Sequence, residues 1–147
     1  MTDPSGRLLF DTSVYIRYFR DGTPAWVAED RATVQRSILT VVVAAELYAG
    51  TRDAEDKRRL DLLCHWHRAL GTLSHPDETS WLDAGVLLGR YARVYGGLRM
   101  VDHVRDVLIA LEASRHSATL VTENTHDFLR WQKLFRSTGR TLRLLSP

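Results

Sequence analysis

Arg7-Leu8-Leu9-Phe10-Asp11-Thr12-Ser13 is an apolar run that stops on a carboxylate and passes at once into two hydroxyl residues. The run is apolar at consecutive positions and is bounded upstream by Pro4-Ser5-Gly6, which predicts a short strand, Arg7 to Asp11, buried on both faces. Strands of that kind belong to parallel sheets covered by helices. Thr12 or Ser13 can cap a following short helix that carries Val14, Tyr15, Tyr18 and Phe19.

The same alternation continues outward. Asp21-Gly22-Thr23 breaks the first helix, and Pro24 suits the first turn of a second one running to about Arg36. Ile38 to Val42 is β-branched and predicts a strand; Ala44 to Ala49 predicts a helix stopped by Gly50. Glu55 to Leu70 is helical, with Leu60, Leu63, Cys64, His67 and Leu70 on one face. Gly71 to Ser74 is a short strand, and Asp77 to Tyr95 a helix ended by Gly96-Gly97. Asp102 to His116 is a helix and Ala118 to Val121 a strand; Asp127 to Leu134 is a short helix and Thr141 to Leu145 a last strand. Strands alternating with helices predict an α/β architecture with a parallel sheet covered on both faces. Sites in such sheets lie at the carboxyl ends of the strands, where Asp11 and the Asn124–Asp127 loop fall.

A length of 147 residues fits one domain with a real core, and no apolar run approaches the ~18 residues of a membrane span. The first six residues show no signal-peptide apolar region, and the single Cys64 excludes an internal disulfide, so a reducing, cytoplasmic setting is expected. Net charge is only +2, but 18 of the 20 basic residues are arginine, Lys57 and Lys133 being the others. Arginine's planar fork suits phosphate, although a GC-rich genome gives the same bias. Beyond Asp127 come Arg130, Lys133, Arg136, Arg140 and Arg143 with no acid, a segment that could meet an RNA backbone or stay solvated.

Four acids stand at the ends or starts of predicted elements: Asp11, Glu46, Asp106 and Asp127. A carboxylate embedded in an apolar stretch is costly unless neutralised. Two of them ~6 Å apart at an effective dielectric of ~20 repel by roughly 2–3 kcal/mol, a large share of a typical ~5–15 kcal/mol stability. Convergent carboxylates therefore bind cations or hold a proton, and a hard divalent cation with oxygen ligands is the usual solution. Each acid also has a plainer role: Asp11 and Asp127 as helix caps, Glu46 on a helix surface, Asp106 beside Arg105 or in the favourable first turns of its helix. Thr12, Ser13 and Thr122 carry short hydroxyls beside these acids, placed to orient a carboxylate or a metal-bound water as well as to cap.

The four blocks Leu9-Phe10-Asp11-Thr12-Ser13, Ala45-Glu46-Leu47-Tyr48-Ala49-Gly50, Asp106-Val107-Leu108-Ile109-Ala110 and Leu120-Val121-Thr122-Glu123-Asn124-Thr125-His126-Asp127-Phe128 come in an order and spacing that span nearly the whole chain. In this the chain resembles the PIN-domain ribonucleases, in particular the VapC-type toxins of toxin–antitoxin pairs. The resemblance implies a single PIN domain over residues 1–147: a three-layer α/β/α fold with a central parallel sheet of about five strands. It implies RNA hydrolysis dependent on Mg²⁺, with Mn²⁺ as a substitute. Asp11, Glu46 and Asp106 match the three main acids of the family. Many relatives carry Asp where Asn124 stands, with a second acid at Asp127; Asn124 can ligate but brings no charge. Also implied are a homodimer and a VapB-like antitoxin that wraps the toxin and blocks the acidic site.

Other classes fit less well. A phosphoacceptor receiver domain wants an acidic pair at the end of its first strand, where Leu9-Phe10-Asp11 offers one acid. A non-catalytic binding module on the same scaffold, or a housekeeping RNA-processing PIN nuclease, remains as an alternative. Cys64-His65-Trp66-His67 suggests zinc, but no second ligand pair follows at zinc-site spacing and core packing is expected. Asp102, one turn before Asp106, could share its face. His103, His116 and His126 are expected on the surface, with His126 near substrate phosphate. Tyr15, Tyr18, Phe19 and Trp26 give the first helices aromatic weight suited to a core or to a partner groove.

Overall fold

A computed structural model describes residues 6–147; residues 1–5, which carry the expected strand boundary and the leader reading, lie outside the described residues. Five strands form one sheet: β1 (Leu8–Phe10), β2 (Ser37–Thr40), β3 (Leu73–Ser74), β4 (Thr119–Val121) and β5 (Arg143–Leu145). Their order is β3-β2-β1-β4-β5, and every pairing is parallel. The opening apolar run is thus the middle strand, with Leu8 opposite both Ser37 and Thr119. All three of its residues are buried, as a strand covered on both faces requires.

Parallel pairing demands crossovers, and seven helices supply them: α1 (Thr12–Asp21), α2 (Arg31–Arg36), α3 (Val41–Ala49), α4 (Ala54–Leu70), α5 (Glu78–Tyr95), α6 (Met100–Arg115) and α7 (Thr125–Ser137). They flank the sheet in a three-layer α/β/α arrangement. α3 packs on α1, α4 and α6, while α5, α6 and α7 pack on one another. The core between them is filled by Leu9, Phe10, Tyr15, Leu39, Leu120 and Trp131, among others, each essentially inaccessible. Full burial of a side chain of this size contributes about 1.5–3 kcal/mol.

Several boundaries differ from the expected ones. Val41 and Val42 open α3 instead of ending β2, because Thr40 stops the strand and its Oγ1 accepts from the Val42 N–H at 3.4 Å. The helix expected from Pro24 to Arg36 divides into a 3-10 turn over Ala25–Val27 and α2, which Asp30 caps by accepting from the Thr33 N–H at 2.8 Å. α6 starts at Met100 and α7 at Thr125, which puts Asp127 in the first turn of α7 instead of at its cap.

Cys64 and His67 are core residues, as expected. His67 Nδ1 shares a 2.8 Å hydrogen bond with Thr72 Oγ1, and its Nε2 is buried without a partner. Burial holds the ring's pKa down at about 4. His103 and His116 are half-buried instead of exposed: His103 stacks on Tyr91, and His116 Nε2 meets Ser74 Oγ at 2.8 Å.

Candidate active site

β1 ends at Phe10, and the next residue both caps α1 and anchors the site. Asp11 has extended backbone (φ −65°, ψ 158°), and its N–H donates to Val121 O at 2.9 Å, so it continues the β1–β4 pairing for one more residue. Its Oδ1 accepts from the Thr12 N–H at 2.8 Å; its Oδ2 accepts from Ser13 Oγ at 3.0 Å and from Thr122 Oγ1 at 2.9 Å. Three donors from two elements fix a carboxylate that is only 6% exposed. Capping and orientation are therefore one arrangement. Thr122 also accepts from the Asn124 N–H at 3.0 Å, which ties the β4–α7 loop to the same point.

Glu46 sits in the second turn of α3, and Asp106 in the second turn of α6, the helix that α3 touches. Burial pushes the Asp106 carboxyl up to about 6, and the charges of Asp11, Glu46 and Asp127 push the same way; only Arg105 opposes them. Glu46 is also raised, first by burial and then by Asp11, against Arg105 and Thr12. All four predicted acids are thus in electrostatic reach of one another, although they come from β1, α3, α6 and α7. Thr12 Oγ1 lies buried on the Glu46 side and falls short of a full hydrogen bond. Asp106 and Asp127 line a polar depression of about 350 Å³ with Asp102, His103, His126 and Arg130. Glu46 lines a neighbouring groove of about 210 Å³ with Ile16, Phe19, Leu47 and Arg52.

A divalent cation suits this donor set. The set is all oxygen, it carries more negative charge than its one nearby cation offsets, and a buried hydroxyl beside it lacks a partner. Among the described residues, however, no group of three or more His, Cys, Asp or Glu side chains stands already gathered to hold a metal. The geometry gives the reason: Arg105 Nη1 draws Glu46 Oε2 to 3.5 Å, and the Asp11 oxygens are engaged by three donors. Asn124 is the exposed N-cap of α7, and its side chain forms no capping hydrogen bond.

Comparison with solved structures settles the fold. A chain of the VapBC2 complex from Rickettsia felis, bound to a DNA fragment from its promoter, superposes with a TM-score of 0.67 over 95% of this chain and 98% of that one, at 16% identity. DNA-bound VapBC from Salmonella typhimurium gives a TM-score of 0.68 over 96% and 98%, at 17% identity. FitAB bound to the IR36 DNA fragment gives 0.63 over 95% and 94%, at 21% identity. This is the PIN-like fold. No family model and no curated protein matches the sequence.

Within the PIN-like fold, Asp11, Glu46, Asp106 and Asp127 lie together as the sequence suggests, and Thr122 and Ser13 orient Asp11. Three participants were not legible. Arg105 pairs with Glu46, not with an acid of its own helix. Glu123 leaves the β4–α7 loop to meet Arg17 of α1 at 2.7 Å, an exposed pair of about 0–1 kcal/mol. Tyr91, at the far end of α5, reaches the Asp106 depression. Its periodicity marks it only as a core residue, because nothing in a helical repeat reports what lies across the interface.

Proposed function

We propose that the chain is a metal-dependent endoribonuclease and the toxin of a VapBC-like pair. The observation that carries this is the convergence of Asp11, Glu46 and Asp127 on the buried Asp106 at the carboxyl end of the central strands. Mg²⁺, or Mn²⁺ in its place, would be held by Asp11, Glu46, Asp106 and Asp127 with Asn124 beside them, and when bound it activates water and offsets charge on the phosphate. The chain's own part is positional. Thr122, Ser13 and the Thr12 N–H fix the Asp11 carboxylate, so its orientation does not depend on the substrate. Arg105 neutralises Glu46 until a stronger cation competes for it. His126 lines the depression on the side from which a phosphate would approach. A homodimer, a VapB-like antitoxin and a cytoplasmic setting belong to the same proposal; no helix among the described residues is long and apolar enough to cross a membrane.

The Arg105–Glu46 pair and the ungathered carboxylates favour one second reading, a non-catalytic binding module on the same scaffold. One experiment separates the two: purified protein and structured RNA, with Mg²⁺, Mn²⁺ or EDTA, beside Asp11→Asn. Metal-dependent cleavage lost in the variant supports the nuclease. No cleavage together with no metal binding by titration leaves the binding module.

A further inference from the structure

The face beside the acidic depression carries an ordered cationic and aromatic track. Arg130 on α7 donates from Nη1 to Tyr91 Oη at 3.1 Å, and its guanidinium carbon lies 4.6 Å from the Tyr95 ring centroid and 6.0 Å from that of Tyr91. Tyr91 in turn packs against Tyr95 at 4.9 Å, His103 at 5.2 Å and Trp131 at 4.8 Å between centroids. Trp131 and Tyr91 are buried, so they form a rigid base, while Arg130 is exposed and Tyr95 half-exposed above it. An arginine stacked and hydrogen-bonded in this way is already ordered, and loses little side-chain entropy when a ligand arrives.

Arg130 and Tyr91 line the depression that holds Asp106 and Asp127. Tyr95 lines the next one, of about 530 Å³, with Arg90, Arg93 and Lys133 and no acidic residue. Arg90, Arg93 and Lys133 form no ion pair among the described residues, whereas Arg140, farther along, is engaged by Asp83 at 2.9 Å. The track therefore runs from the carboxylates, over a cation–aromatic step, to unpaired cations. That sequence of groups matches a single nucleic-acid strand, whose phosphates want cations and whose exposed bases stack on aromatic and guanidinium planes. A duplex keeps its bases internally stacked and would use the charges alone.

We propose that single-stranded RNA leaves the carboxylate site across Arg130 and Tyr95 and continues onto Arg90, Arg93 and Lys133, with Arg130 as a substrate-positioning residue. This rests on the ribonuclease reading for its starting point, and its test does not need turnover. Full-length protein is titrated into a fluorescein-labelled single-stranded RNA of about 12 nucleotides in EDTA, read by anisotropy across a range of salt. Arg130→Gln is expected to weaken binding about tenfold, and Arg130→Lys to keep the salt dependence while recovering only part of the affinity. Arg90→Gln with Arg93→Gln, both at exposed positions that leave the core intact, should lower the log–log salt slope by about one. In cleavage assays Arg130→Gln should raise KM far more than it lowers kcat. Absence of wild-type binding, equal binding of duplex, capture of an acidic polypeptide in place of RNA, or variants within twofold of wild type would each overturn the path. Binding that follows these expectations in a protein that cleaves nothing with Mg²⁺ or Mn²⁺ would sink the nuclease reading and leave the path standing.

Discussion

Replacing Asp106 with asparagine removes a charge that burial, Asp11, Glu46 and Asp127 all oppose. A carboxyl raised from 3.8 to about 6 binds protons more tightly in the folded state, so its ionisation costs stability as pH rises from about 4 to 6 and the loss persists above. Screening at this partly exposed site trims the cost to roughly 1–2 kcal/mol. Asp106→Asn should therefore melt several degrees above wild type at pH 7 in EDTA, lose that advantage near pH 4, and show no stabilisation by Mg²⁺. Thermal scans at the two pH values check this; an unchanged or lower melting temperature at pH 7 would remove Asp106 from the charged cluster. Thr122→Val deletes one of three donors to Asp11 and should weaken metal affinity about 10–100-fold while the protein stays folded, measured by titration calorimetry.

α4 ends at Gly71, whose φ of +70° lets the chain turn straight into β3, with the Gly71 N–H bonded to Arg68 O at 3.2 Å. Open space surrounds the position, so the cost of a side chain there is conformational alone. Gly71→Ala should lower stability by about 1–2 kcal/mol and Gly71→Asn by less, read from urea midpoints at constant m-value. At this scale the sequence announces most of the fold. Every strand and almost every helix falls where alternating apolar runs and breakers put it, because buried parallel strands leave a strong signal. The misplacements have local causes. Val41 and Val42 favour a strand by propensity, yet Thr40 and the helix that must carry Glu46 claim them. Asp127 has the chemistry of a cap, but the helix begins one turn's reach earlier at Thr125. The acids of the site stood out because charge inside apolar runs is rare. Arg105, Tyr91 and Arg130 did not, because each faces its partner across a helix–helix contact that no single run encodes.

For the molecule as a whole, His67 sets the acid limit. Its folded pKa of about 4 lies below the ordinary 6.5, so the neutral ring's contribution is complete above about pH 6.5 and is lost as pH falls towards 4. The loss amounts to about 3 kcal/mol. His67→Gln, which no longer titrates and still offers Thr72 a polar partner, should show a flatter stability profile over that interval in urea melts; parallel profiles would show that the ring is not what limits acid stability. The sheet order has a consequence for synthesis. β1 is made first, yet its partner β4 and the Thr122 hydroxyl on Asp11 are separated from it by more than a hundred residues, 111 in the case of that hydrogen bond. At about 5–20 residues per second a ribosome takes several to about twenty seconds to bridge that gap. No nascent or prematurely terminated chain that stops short of β4 can assemble the carboxylates, so for most of its translation the polypeptide is chemically inert by construction.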